Sequence, residues 1–335
     1  MATRTRYAPD RGLTVRMTVT MFLLGLVFVA FVAAIIGVMV ASHQSAAFIV
    51  VVALLFGGGS AFISLFYSDK IALAAAGARE VTPQQAPELH GIVDRLCALA
   101  DMDKPRVAIA PTSMPNAFAT GRNSKNSVLC VTEGLLGRNL NLTKDELEGV
   151  LAHELSHVAH KDVQVMTVAS LLAIVAGLLV RFAFYSELFG GGRRSNNQNA
   201  LPIIAIIMVV SVVVYAISFL LIRVLSRYRE LAADRSGALL TGQPSALASA
   251  LQKVSGQMNR IPNDDLRKAE SLNAFYFAPA MRLNAISGGG GNGGGRSLSA
   301  IFSTHPSLEK RIEQLEKIQR QLGEVSPGSS AKGLQ

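Results

Sequence analysis

The chain has 335 residues, half of them hydrophobic and only 16% charged, against about a quarter charged in an ordinary soluble domain. That shortfall excludes a disordered chain and points to membrane segments. Two cysteines, Cys97 and Cys130, exclude a disulfide framework and read as buried, reduced thiols. A net charge of +9 fits a nucleic-acid surface or Lys and Arg on the cytoplasmic side of membrane spans. With no Trp and no basic–aromatic cluster, no nucleic-acid partner is expected.

Four runs exceed the about 20 apolar residues that cross a bilayer: 17–41, 45–67, 163–185 and 200–222. The first is longer than the roughly 7–15 residues of a secretory apolar region, so it reads as an uncleaved span. Arg4, Arg6, Arg11 and Arg16 precede it, Lys70 and Arg79 follow the second run, and Arg223, Arg227 and Arg229 follow the fourth. The positive-inside rule then places both termini and residues 68–162 in the cytoplasm. Arg193 and Arg194 fall in the 186–199 loop, which this topology puts outside. A full crossing is preferred over a shallow hairpin.

Between the spans, Thr82-Pro83 and the Leu89, Ile92, Val93, Leu96 stripe predict a helix to about Met102. Residues 106–110 and 127–131 predict strands, with Asn116 to Ala119 an edge strand or a turn. Thr143 and Glu146 form a capping-box pattern, so a helix starts near Lys144 and can run unbroken into the third span. Residues 229–240 predict a helix stopped at Gly242, and 288–295 is a glycine-rich loop. Leu308, Ile312, Leu315, Ile318 and Leu322 predict a last helix, with Gly323 as its stop. The organisation expected is a cytoplasmic segment 1–16, a two-span anchor 17–67, a first catalytic part 68–162, a two-span hairpin 163–222, a second catalytic part 223–325 and a tail 326–335.

The helix predicted from Lys144 carries His153-Glu154-Leu155-Ser156-His157. Histidines at i and i+4 project from one face, one turn apart, and can reach a single tetrahedral Zn²⁺. Glu154 points beside such an ion, placed to take a proton from water. A solvated surface helix is the plain alternative. A catalytic zinc keeps three protein ligands and one open position. His160 lies about 10 Å along the axis from His153, too far to share the ion. Glu230 is the better third ligand, with Asp234 one turn on to accept the outer N–H of a ligand histidine. Both motifs adjoin spans separated by an even number of crossings, so they return to one membrane face. That favours membrane-bound or membrane-adjacent polypeptide substrates, with the lipid bilayer as the other partner. The oligomeric state is left open.

His153-Glu154-xx-His157 with Asp162, then Glu230-xxx-Asp234, then Ser303-Thr304-His305-Pro306 with Glu309 and Arg311, resembles the HtpX-type membrane zinc metalloproteases, relatives of the CAAX prenyl proteases. The resemblance covers nearly the whole chain. It implies a mainly α membrane protein with four transmembrane helices and an α+β zincin-like catalytic domain. It implies a bacterial inner-membrane location, one Zn²⁺ per chain held by His153, His157 and Glu230, Glu154 as the base, and a place in membrane-protein quality control and stress response. His305 is the first choice as an oxyanion donor, Asn116 as a holder of substrate backbone, and Arg311 as a partner of Asp234. Two other readings compete. A prenyl-type protease lacks support because the larger set of spans is missing. A zinc-binding scaffold or transporter without hydrolysis leaves Glu154 without a role.

Overall fold

The computed structural model describes residues 11–41, 58–137, 139–190, 200–258 and 305–324. These form a mostly helical molecule with one small sheet. In chain order they are α1 (Arg11–Ala41), α2 (Gly59–Ala76), β1 (Arg79–Glu80), α3 (Pro87–Ala100), β2 (Arg106–Ala110), β3 (Ala117–Gly121), β4 (Ser127–Thr132), α4 (Glu133–Leu136), α5 (Lys144–Ala159), α6 (Asp162–Gly190), α7 (Ala200–Thr241), α8 (Pro244–Met258) and α9 (Leu308–Glu324).

Three helices among the described residues are long and apolar enough to cross a membrane, over Arg11–Gly37, Asp162–Arg181 and Ala205–Thr241. Four were expected. Most of the 45–67 run lies outside the described residues, and α2 continues past Tyr67 through Asp69 and Lys70 to Ala76, where it covers the sheet. The described part holds only the end of that run, and Asp69 and Lys70 lower its mean hydropathy, so the expected second span lies largely outside the described residues. Arg193, Arg194 and the glycine-rich stretch also fall outside the described residues.

The sheet order is β1-β2-β4-β3. β2 pairs parallel with β4, and β3 pairs antiparallel with β4. The segment after Asn116 is therefore an edge strand, one of the two options its sequence allowed. One face of the sheet packs on α2 through Ala72, Ala108, Ala110, Phe118, Val128 and Cys130. The other face builds the main core with Leu96 of α3, Leu151 and Leu155 of α5, Leu247 and Leu251 of α8, and Leu315 and Ile318 of α9. Both cysteines are free and buried; burial pushes the Cys97 thiol up to about 11 and the Cys130 thiol up to about 12.

Two expectations about continuity are corrected. The helix from Lys144 does not run into the third span. Its capping box is present, with Thr143 and Glu146 bonding reciprocally, but α5 ends at Ala159 and Lys161 takes φ 56° before α6 restarts at Asp162. Conversely, the helix expected at 229–240 is the last third of α7. That helix runs 42 residues without a break, because nothing between Ile222 and Arg229 favours a turn, and Gly242 at φ 69° stops it. At 1.5 Å per residue α7 is about 63 Å long, twice the roughly 30 Å hydrocarbon core of a bilayer.

Candidate metal centre

The break after α5 and the unbroken run of α7 bring the site together. α5 lies against the lower part of α7, and Gly237 permits the approach: a Cβ there would stand 2.8 Å from the His153 amide nitrogen. Across this contact, His153, His157 and Glu230 offer ligand atoms that all lie within 4.8 Å of one another. The two Nε2 atoms are 3.2 Å apart. Glu230 stands 3.7 Å from His153 Nε2 and 3.5 Å from His157 Nε2.

The outer nitrogens explain why the inner ones face each other. His153 Nδ1 is 2.9 Å from Asp234 Oδ1, and His157 Nδ1 is 2.5 Å from Asp162 Oδ2. A carboxylate on Nδ1 fixes the tautomer with its proton there and leaves the Nε2 lone pair toward the common point. The carboxylates are held in turn. Arg311 donates to both oxygens of Asp234, at 2.7 and 2.6 Å, and Arg229 pairs with Asp162 at 2.6 Å. Arg311 is 1% exposed, so its charge is carried almost wholly by Asp234 and the facing acids.

Once these two pairs are set against each other, Glu154 and Glu230 remain as buried acids around two imidazoles. Burial, with nearby Glu230 adding to it, pushes the Glu154 carboxyl up to about 8 against the opposing His157, Arg311 and a hydrogen bond from the Ala119 main chain. Burial alone would lower the His157 imidazole, but the Asp162 hydrogen bond and the carboxylates of Glu230 and Glu154 outweigh it and raise it to about 9. His153 shifts the other way, held below its ordinary value by burial. The carboxylates of Glu230 and Glu154 thus favour a positive charge beside His157. Two tautomer-fixed imidazoles and one carboxylate make a donor set that suits Zn²⁺ in its open, catalytic form.

The remaining residues named from sequence fall in three places. Asp234 and Arg311 form the pair described. His305 is buried with Nδ1 3.1 Å from Glu230 Oε2, facing the third ligand candidate. Asn116 lies at the entry to β3, its main chain bonded to Thr132. His160 meets Ser236 on α7 at 3.2 Å and stays outside the triad. His90 bonds the Val81 carbonyl, away from the centre; His43 lies outside the described residues. Sequence reasoning placed Asp162 in the motif but did not give it His157. It did not find Arg229 as the partner of Asp162, since that pairing depends on the turn at His160 and Lys161.

Comparison with known proteins gives the family. The description Peptidase family M48 matches residues 83–319. Protease HtpX homolog 1 of Streptomyces coelicolor is 56% identical over 328 residues, 98% of this chain and 100% of that one. Protease HtpX homolog of Moorella thermoacetica is 47% identical over 322 residues, 96% and 99%. The fold also resembles the crystal structure of S. mikatae Ste24p, with a TM-score of 0.51 at 17% identity, covering 90% of this chain and 67% of that one. The buried His-His-Glu cluster thus stands in a chain that belongs to peptidase family M48, in its HtpX-type branch of membrane metalloproteases.

Proposed function

We propose that the protein is a zinc endopeptidase of the inner membrane that hydrolyses membrane or membrane-adjacent polypeptides at the cytoplasmic face, in quality control and stress response. The observation that carries this is the convergence of His153 and His157 Nε2 on Glu230 with Glu154 buried beside them. One Zn²⁺ per chain is held by His153, His157 and Glu230. A zinc ion there would supply Lewis-acid polarisation of the carbonyl and of water. Glu154 as carboxylate accepts the proton of the attacking water; as the acid it donates that proton to the leaving amine. Asp234 and Asp162 keep both imidazoles in the ligating tautomer. His305 is the side chain next to the centre that answers negative charge developing on the carbonyl oxygen. The β3 edge, entered at Asn116, offers main-chain groups along which an extended substrate can lie.

The arrangement in the bilayer follows from the arginines. Residues 68–162 and 223–325 form one catalytic body on the cytoplasmic side, with both termini there, 17–67 as the anchor and 163–222 as the hairpin. Reporter fusions at Gly77, Asp101 and Gly323 read cytoplasmic on this topology, and one at Asn197 reads external. An external signal at Asp101 overturns it.

The test of function is cleavage of a membrane-protein substrate by the purified protein. Glu154→Gln keeps its metal and fold and loses roughly 10²–10⁴-fold in rate. His153→Ala loses the metal, read by elemental analysis. Full cleavage by Glu154→Gln refutes the assignment.

A further inference from the structure

Three cation–π contacts stand on separate pieces of the fold. Lys70 Nζ lies 5.4 Å from the Tyr67 ring on α2. Arg122 Cζ, just past β3, lies 4.8 Å from the Phe66 ring. Arg223 Cζ lies 4.1 Å from the Phe219 ring on α7. The packing puts them at one level. Ser64 and Thr167 hydroxyls bond across α2 and α6 at 3.1 Å, and Gln164, one turn lower on α6, donates to the Arg122 carbonyl at 2.6 Å. Leu24, Ala169 and Leu225 form one cluster with Met17, Leu221 and Ile222 around it. This sets the Arg223 turn of α7, and Arg16 of α1, at the height of residues 164–169.

Along α7 the surface changes character at this level, while on α2 Ile71 stays exposed one residue past Lys70. Above it, Phe62, Ile63 and Phe66 on α2 and Val212, Val213, Tyr215 and Leu220 on α7 are exposed. Along α7 no exposed side chain follows Leu220 as far as Thr241. Aromatic rings with a cation on the polar side of each are the arrangement that anchors protein at the headgroup level of a bilayer. In each helical pair the cation follows its ring by a turn toward the catalytic body.

We propose that Arg16, Lys70, Arg122 and Arg223 form a belt that seats the protein on anionic phospholipid headgroups and fixes the height of the metal centre beneath them. Glu230 is seven residues below Arg223, about 10 Å of helix. A chain leaving the bilayer covers that distance in about three extended residues at 3.3 Å each. Resting on the proposed protease function, this names the substrate class: polypeptides whose cleavable bond lies a few residues beyond the end of a transmembrane segment.

The experiment has two readouts on the full-length protein in nanodiscs of phosphatidylcholine with or without phosphatidylglycerol. The first is the motionally restricted fraction of spin-labelled phosphatidylglycerol relative to phosphatidylcholine. Wild type selects the anionic lipid; K70Q/R122Q/R223Q loses about fivefold in selection per cation removed. Lys70→Gln alone, an exposed change, carries the same test with a smaller shift. Equal selection by wild type and Lys70→Gln overturns the belt. The second readout is the cut position in a single-span substrate followed by a uniform cleavable repeat. Cuts cluster about three to six residues past the span; cuts beginning beyond about ten overturn the fixed height. Should Glu154→Gln cleave as wild type does, the protease reading falls while the lipid readout stands.

Discussion

The two ends of α7 hold their neighbours by opposite means. In the upper half, Phe31, Leu172, Ala176, Leu179 and Val214 pack with no ion among them, and Gly177 lets the Tyr215 ring lie 3.5 Å from where a Cβ would stand. In the lower half, Glu230 and Asp234 meet two histidines and Arg311, with Arg229 and Asp162 close by. A bilayer gives apolar helices no hydrophobic drive to associate, so shape decides the upper contacts. The lower contacts are decided by charges that must each find a partner once buried. Position at the site is therefore specified residue by residue, while position in the bundle depends on fit.

The largest break of this comparison is Arg311→Ala. It leaves Asp234 buried without its bidentate partner, at a cost of about 3–5 kcal/mol. The thermal midpoint falls and metal affinity falls with it, because His153 loses its oriented acceptor; an unchanged midpoint contradicts the pairing. Next is a matched pair of truncations. Leu151→Ala in the catalytic core costs about 2–5 kcal/mol, and Leu172→Ala in the bundle costs less, because only packing is lost there. Chemical unfolding in detergent checks the order; equal losses erase the distinction. Third, Gly237→Ala drives a methyl group against the His153 main chain and costs about 1–3 kcal/mol. The change shows in metal affinity as well as stability, whereas Gly149→Ala, which meets Leu247 at 3.2 Å, shows in stability alone.

The smallest effect belongs to Glu146. Burial alone would raise its carboxyl, but hydrogen bonds from Lys253, Ser249 and the Thr143 main chain outweigh it and hold the group below its ordinary value. A depressed folded-state value stabilises the fold above the unfolded value, about 4.3, and that contribution disappears as pH falls through the folded one. Lys253→Met removes about 0.5–1 kcal/mol, since Lys253 is partly exposed. It also flattens the loss of stability below about pH 4. A parallel pH profile for wild type and variant rules out this source.

How much of this could be read beforehand depended on range along the chain. His153, His157, Glu154 and the capping box lie within fifteen residues of one another and follow helical periodicity, so local rules reach them. Glu230 with Asp234 was legible by the same i, i+4 logic, and their approach to His153 was inferred from the membrane hairpin. The turn at His160 and Lys161 was not legible. It contains neither Gly nor Pro, and the bond from His157 to Asp162 that it permits is a tertiary contact. β1 escaped notice because two residues carry no alternation. α8 carries a local signal, Pro244 at its start and a Leu247, Leu251, Val254, Met258 stripe, outside the segments that the sequence analysis assigns.

One consequence remains in the length of α7. A continuous rod of about 63 Å is anchored in lipid over its upper part and carries Glu230 and Asp234 on its lower part. His153 and His157 ride on a different rod, one that is severed from its span at Lys161. The site is thus a joint between a beam rooted in the membrane and a block resting beneath it. The carboxylate is therefore tied directly to the long helix that continues into the apolar bundle, whereas the two imidazoles connect to their own bundle helix only through the turn at Lys161.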